Sequence, residues 1–383
     1  MWRELVGPCL VVAFVVSQAL RDVYFGAAFQ GIDFFVVILI AFSISAVVFA
    51  VVTFIRDRGA YAKMRGELAA LAWMNATTAL AWCCYFFSLK YLQPSIVNCL
   101  HAGAAPLTVV ALASCGIHIA RPSPVRPAEY GWLAGLAAAL ALLGWVVLNG
   151  YSGLRSESAL GAFAPVLPLV SGTAITVSLL WCKRLNERGI GSDALSATRY
   201  LLIVVVAALV VVFGDRPSGV ETLRAFAVLT VVTTLLVAAP LYVLQLGIAR
   251  TAPLTVHLMR SLGPVLVFAA ELADGRIAYS GLTLLGIALY SVFAIGGNLA
   301  HISHTRCGLR QFKKPTGQEP RAARCGSSGK RGDAPRRLLQ PALRVALGRA
   351  SPASGGSTVW PDTLSPPDAV SAPPKEQRRP HGV

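Results

Sequence analysis

From Phe34 to Ile55 the chain runs without a single charged side chain. A stretch of that length is enough to cross ~30 Å of hydrocarbon as a helix. Ten such apolar runs can be marked: 5–20, 34–55, 68–89, 96–119, 131–149, 161–182, 200–214, 225–247, 254–272 and 280–301. The first and seventh are short, with extension of the first past Arg21-Asp22 and an earlier start of the seventh, before Arg199, left open. With 55% hydrophobic and 14% charged residues and a mean hydropathy of +0.62, an ordinary soluble domain is excluded. Lipid offers the backbone no hydrogen bonds, so each span must bond within itself as a helix. Nothing alternates with the period of two that a β-barrel strand requires. The expected fold is all-α, a polytopic membrane protein with ten transmembrane helices.

The ten runs divide at the polar turn Gly150-Tyr151-Ser152-Gly153. This gives a first five-helix repeat at 1–149, a joint at 150–160, a second repeat at 161–302 and a basic tail at 303–383. Five is odd, so the second set enters the membrane from the opposite face, and the two repeats are inverted. Lys and Arg of the short loops fall 12 to one side and six to the other, Arg21 and Arg199 being counted as loop residues. By the positive-inside rule both termini are cytoplasmic. Residues 5–20 also resemble a signal-peptide core, with Ser17-Gln18-Ala19 as a loose cleavage site. Pro8 and the offset of Arg3 by Glu4 favour an uncleaved first span.

The net charge of +16 belongs mostly to the tail, where 15 Lys/Arg from Arg306 onward face five acids. Its Arg, Pro, Gly, Ser and Ala lack apolar periodicity, so disorder is expected. Two readings are open for it: a solvated tail, or a segment held by anionic lipid headgroups. The basic balance therefore does not indicate a nucleic-acid-binding domain. Cys9, Cys83, Cys84, Cys99, Cys115 and Cys182 lie in or beside apolar spans, no metal-ligand spacing appears, and neither a metal nor a cofactor is expected.

Two stretches repeat one design: YFFSLKYLQPSIVNCLHAGAAP (85–106) and YVLQLGIARTAPLTVHLMRSLGP (242–264). Each leads from a Tyr through a Pro-containing turn into a span carrying a second proline. Pro106 and Pro264 lie ~15 Å into their spans at 1.5 Å per residue, near the expected midplane. Proline frees the carbonyl four residues earlier, here those of Ala102 and Arg260. Paired interruptions of this kind point to a transporter's substrate site, with the prolines as hinges, although bending for packing alone is the competing use. His257 and Arg260, and Asn98 and His101, are each spaced i, i+3 and share a helix face. For Arg260 both a cavity-facing and a snorkelling position are open. For Asn98 a plain helix–helix hydrogen bond is the alternative. Asn75, Trp73, Trp82 and Tyr85 on span three, and Tyr242 and Gln245 on span eight, are candidate cavity walls. Gly131, Gly135 and Ala139, with Gly281, Gly286, Gly296 and Gly297, suit close packing of spans five and ten. No carboxylate is expected deep in a span, and Glu271 reads as interfacial. A carboxylate-based ion site is therefore disfavoured, and no nucleophile, metal or P-loop motif suggests an enzyme.

Residues 242–277 (YVLQLGIARTAPLTVHLMRSLGPVLVFAAELADGRI), and more weakly 85–110, resemble the EamA-type members of the drug/metabolite transporter superfamily. The resemblance implies two inverted five-helix repeats around a central cavity and movement of small organic metabolites. The expected function is secondary transport across the cytoplasmic membrane by alternating access. The alternative is a membrane-embedded binding or assembly component that moves nothing. Expected substrate contacts are Arg260, His257, His101, Asn98, Tyr242, Gln245, Tyr85 and Asn75. Expected partners are a small metabolite of anionic character, the lipid bilayer and, as an oligomeric option, a second copy in a homodimer.

Overall fold

The computed structural model describes residues 2–117, 119, 127–151, 163–214, 219, 222–248, 251, 259–275 and 280–312. All of its regular structure is helical. The elements are α1 (Trp2–Ala28), α2 (Phe34–Arg56), α3 (Ala60–Arg65), α4 (Leu68–Tyr91), α5 (Pro94–Ser114), α6 (Pro127–Leu148) and α7 (Val166–Glu187). They continue with α8 (Ser192–Thr198), α9 (Leu201–Phe213), α10 (Leu223–Thr233), a π-helical turn (Thr234–Ala238) and α11 (Ala239–Ile248). The last two are α12 (Gly263–Asp274) and α13 (Gly281–Phe312). Eight helices among the described residues are long and apolar enough to cross a membrane, as in a multi-pass membrane protein. All of these helices belong to one contact unit.

Local chemistry sets the element ends. Asp33 begins α2 by accepting the Phe35 N–H at 2.8 Å. Pro94 occupies the first turn of α5, where a missing N–H costs nothing. Gly275, at φ 68°, closes α12 in the left-handed conformation that side chains resist. The π-helical turn is followed by Pro240, whose ring would clash with the carbonyl of Leu236 in a regular helix, and widening the turn relieves that clash.

Several boundaries differ from the sequence expectation. The first helix does not stop before Arg21-Asp22 but carries both residues inside α1, buried at 3% and 0% exposure. Arg199 is likewise buried at the α8–α9 junction, so neither arginine is a loop residue. α13 continues to Phe312, ten residues past the expected end of the second repeat at 302. Pro106 sits inside a continuous α5, whereas at Pro264 the helix breaks, with a turn at Leu262 before α12 starts at Gly263.

Packing joins elements far apart in sequence. α4 lies on α7, α5 on α7 and α12, α6 on α13, and α2 on α8 and α9. α1 packs on α11 and α12. The α6–α13 contact is built on glycines: a Cβ at Gly135 would overlap the Phe293 ring, one at Gly286 the Leu143 side chain and one at Gly296 the Trp132 ring. Small residues at these points let the backbones approach, as helix association in lipid requires. Outward faces stay apolar: Ile55, Val212, Phe213 and Leu223 are 71–84% exposed, which suits lipid and not water.

Candidate functional site

The second turn from the C-terminal end of α1 places Asp22 against α4 and α5. Its Oδ2 accepts a hydrogen bond from the Tyr85 hydroxyl at 2.6 Å and another from Asn98 Nδ2 at 2.9 Å. Its Oδ1 accepts from both Nε (2.8 Å) and Nη2 (2.6 Å) of Arg21. The four side chains are almost wholly removed from solvent, at 0–3% exposure. The carboxylate is thus saturated with donors, which is what an ionised group needs to persist away from water.

Aromatic rings hold the cation. The Arg21 guanidinium lies 5.5 Å from the ring centroids of both Trp82 and Tyr85. Trp82 and Tyr85 pack edge-to-face, 5.9 Å apart. His101 stands one turn further along α5 than Asn98, edge-on to Tyr85 at 4.7 Å. Its Nδ1 is 3.0 Å from Ser171 Oγ, which in turn donates to the Ala81 carbonyl at 2.6 Å. That chain ties α4, α5 and α7 together. The backbones come so close here that a Cβ on Gly172 would collide with the His101 carbonyl.

Arg260 lies on the last turn before the Pro264 break, half-buried, and within electrostatic reach of His101, Tyr290 and Arg199. Among the described residues it has no carboxylate partner. Gly263, at the break itself, faces Asn98: a Cβ there would come within 3.4 Å of Asn98 Oδ1. The interrupted segment therefore abuts the Asp22 network.

Of the residues expected to contact substrate, Tyr85, Asn98 and His101 converge on this cluster, with Arg260 nearby. Asn75 does not join it. Its amide bonds the Leu71 carbonyl of its own helix at 2.9 Å and accepts the Leu202 N–H at 3.3 Å. Trp73 is 60% exposed and points away. Tyr242 packs on Phe49 of α2, 6.2 Å between centroids. Gln245 is described only by its place on α11, and His257 lies outside the described residues.

Two carboxylates that the sequence reading left near span ends, Asp22 and Glu271, are buried among helices. Asp22 escaped notice because Arg21-Asp22 looks like the polar end of a span. The run Val23-Tyr24-Phe25-Gly26-Ala27-Ala28-Phe29 beyond it was the available signal that the helix continues. Glu271 is buried in protein: at 1% exposure it accepts the Ser95 N–H at 2.8 Å and a hydrogen bond from Gln93 Nε2 at 3.2 Å. It caps the free N-terminus of α5 from another helix, where its oxygens meet the positive end of the helix dipole.

No protein-family model matches the chain, and a comparison with curated proteins finds no match. Among solved structures, a crystal structure described only as that of a protein is similar, with a TM-score of 0.52 and 18% sequence identity. The similarity covers 83% of this chain and 99% of the other. At that identity the likeness concerns the fold alone.

Proposed function

We propose that the chain is a secondary transporter of the EamA type within the drug/metabolite transporter superfamily, moving a small organic metabolite across the cytoplasmic membrane by alternating access. The observation that carries this reading is the Arg21–Asp22–Tyr85–Asn98 cluster, buried where α1, α4 and α5 meet. Ionisable groups kept inside a helical membrane protein are costly and mark solute or ion pathways.

The pairing of helices supports two inverted repeats. Let α8 with α9, and α10 with the π turn and α11, each count as one span, and let α4 and α12 count as spans. Exchanging the first five spans with the second five then turns the α4–α7 contact into α1–α11, and α5–α7 into α1–α12. It turns α5–α6 into α12–α13, and α4–α9 into the contact of α2 with α10 and the π turn. The contacts α2–α9, α5–α12 and α6–α13 map onto themselves. A twofold axis in the membrane plane would produce such a pattern, with the Asp22 cluster and the Pro264 break close to the contact of α5 and α12.

The test is an untargeted metabolite comparison between cells overproducing the protein and cells overproducing its Asn98→Ala, Arg260→Ala double variant at equal membrane abundance. A small set of metabolites shifted only by the unmodified protein is expected. Identical profiles across both strains would remove the transporter reading.

A further inference from the structure

Arg21 is a cation held ready for an anion, yet its present partner fits it poorly. A guanidinium presents five N–H donors in a planar fork that matches two oxygens of a carboxylate or phosphate side by side. Asp22 offers only Oδ1 to that fork, and both Nε and Nη2 converge on this single atom. Its Oδ2 is turned away, engaged by Tyr85 and Asn98. Adjacency in sequence forces the compromise, since neighbouring side chains on a helix diverge by about 100°. A free anion approaching between Trp82 and Tyr85 could present both oxygens. The same aromatic wall holds a spare donor: Trp82 Nε1 is buried and has no acceptor among the described residues.

Resting on the transporter reading above, we propose that Asp22 occupies the place of the substrate's anionic head, and that a carboxylate- or phosphate-bearing solute displaces it from Arg21 as Asp22 takes up one proton. The exchange keeps one negative charge opposite Arg21 throughout, so the low-dielectric site never holds an uncompensated ion. Protonated Asp22 remains bonded to the same neighbours: the Asn98 amide still donates to the carboxyl, and the Tyr85 hydroxyl can accept the new proton. One proton would then accompany each anion.

The charged and titratable groups around Asp22 are few. On α1 itself there is Arg21, from α4 Tyr85, and from α5 His101 beyond Asn98. From α12 there is Glu271, occupied by Ser95 and Gln93, and ahead of its start Arg260. α11 brings Tyr242, and the π turn brings none. Of these, Arg21, Tyr85 and Asn98 are the groups hydrogen-bonded to Asp22, which makes it the carboxylate that must change when Arg21 changes partner.

The experiment uses the full-length protein in phosphatidylcholine nanodiscs, with inorganic phosphate and acetate as minimal anionic probes and tryptophan emission as the readout. In the unmodified protein, affinity for acetate, over the pH range in which acetate and free Asp22 are both ionised, is expected to rise about tenfold for each unit fall in pH, as linkage to one proton requires. In Asp22→Asn, which leaves Arg21 uncovered while keeping the side chain's shape, acetate binding is expected to be tight and independent of pH over the same range. Arg21→Gln is expected to bind neither probe. A second measurement needs no variant: phosphate added to the unmodified protein should increase the infrared stretch of protonated carboxyl groups. Absence of saturable binding to folded Asp22→Asn, or phosphate binding to the unmodified protein without that infrared change, would overturn the proposal. If the anion site behaves as stated but the metabolite profiles are identical, the transporter reading falls and the site stands.

Discussion

Removing Asp22 is expected to be the most damaging single truncation in the molecule. Asp22→Ala strands the Arg21 cation between two rings at 3% exposure, and breaking a buried pair costs about 3–5 kcal/mol. Tyr85→Phe deletes one donor and leaves the other three bonds to the carboxylate, so about 1–3 kcal/mol is expected. Thermal unfolding of the detergent-solubilised variants orders the two, and a Tyr85→Phe loss equal to that of Asp22→Ala would show that the carboxylate is not the centre of the network. Arg260 makes a different prediction because it lacks a carboxylate partner among the described residues. Arg260→Ala should leave thermal stability nearly unchanged while reducing solute flux at equal membrane abundance. A fall in stability matching that of Asp22→Ala would assign it a structural role instead.

Helices in this protein meet where side chains are absent. At Gly172 the obstacle to a Cβ is backbone, the His101 carbonyl, which cannot swing aside. Gly172→Ala is therefore expected to cost about 1–3 kcal/mol through overpacking between α5 and α7. Gly144 on α6 is the control, since nothing lies within 4 Å of a Cβ built there. Gly144→Ala should stabilise slightly, by up to about 1 kcal/mol, because alanine favours the helix. The two unfolding temperatures, measured against the unmodified protein, should move in opposite directions. Gly135, Gly286 and Gly296 were readable as packing residues from their spacing, whereas Gly131 and Gly281, read the same way, have nothing within 4 Å of a Cβ. Gly172 was not readable, since one glycine in Val170-Ser171-Gly172-Thr173 carries no period.

Among the described residues, the ion pairs between the two halves lie at one end of the bundle. Arg56 at the end of α2 pairs with Asp193 on α8 at 3.2 Å, Arg188 pairs with Glu67, and Lys63 Nζ reaches the Gly189 carbonyl at 3.3 Å. At the opposite end Glu271 holds the start of α5. A protein that alternates access must break one set and then the other, so each set is expected to bias a conformational equilibrium. The Arg56–Asp193 pair is solvent-exposed and worth up to about 1 kcal/mol, enough for roughly a fivefold population shift. Arg56→Asp should change solute flux by about that factor, and adding Asp193→Arg should restore it. A double variant no better than the single one would deny that the pair is a latch.

Hydropathy alone determined that the chain is helical and multi-pass, because the backbone has one way to satisfy itself in lipid and twenty apolar residues in a row announce it. Tyr85, Asn98 and His101 were also legible as polar members of interrupted spans, and the structure brings them together. Tertiary structure decided the rest. Whether a charge near the end of a span faces water or protein depends on neighbours that a string does not show. Asp22 and Tyr85 are 63 residues apart, and Glu271 and Ser95 are 176 apart. Only the packing of α1 on α4 and α5, and of α12 on α5, turns those acids from apparent span-end residues into buried groups hydrogen-bonded across helices.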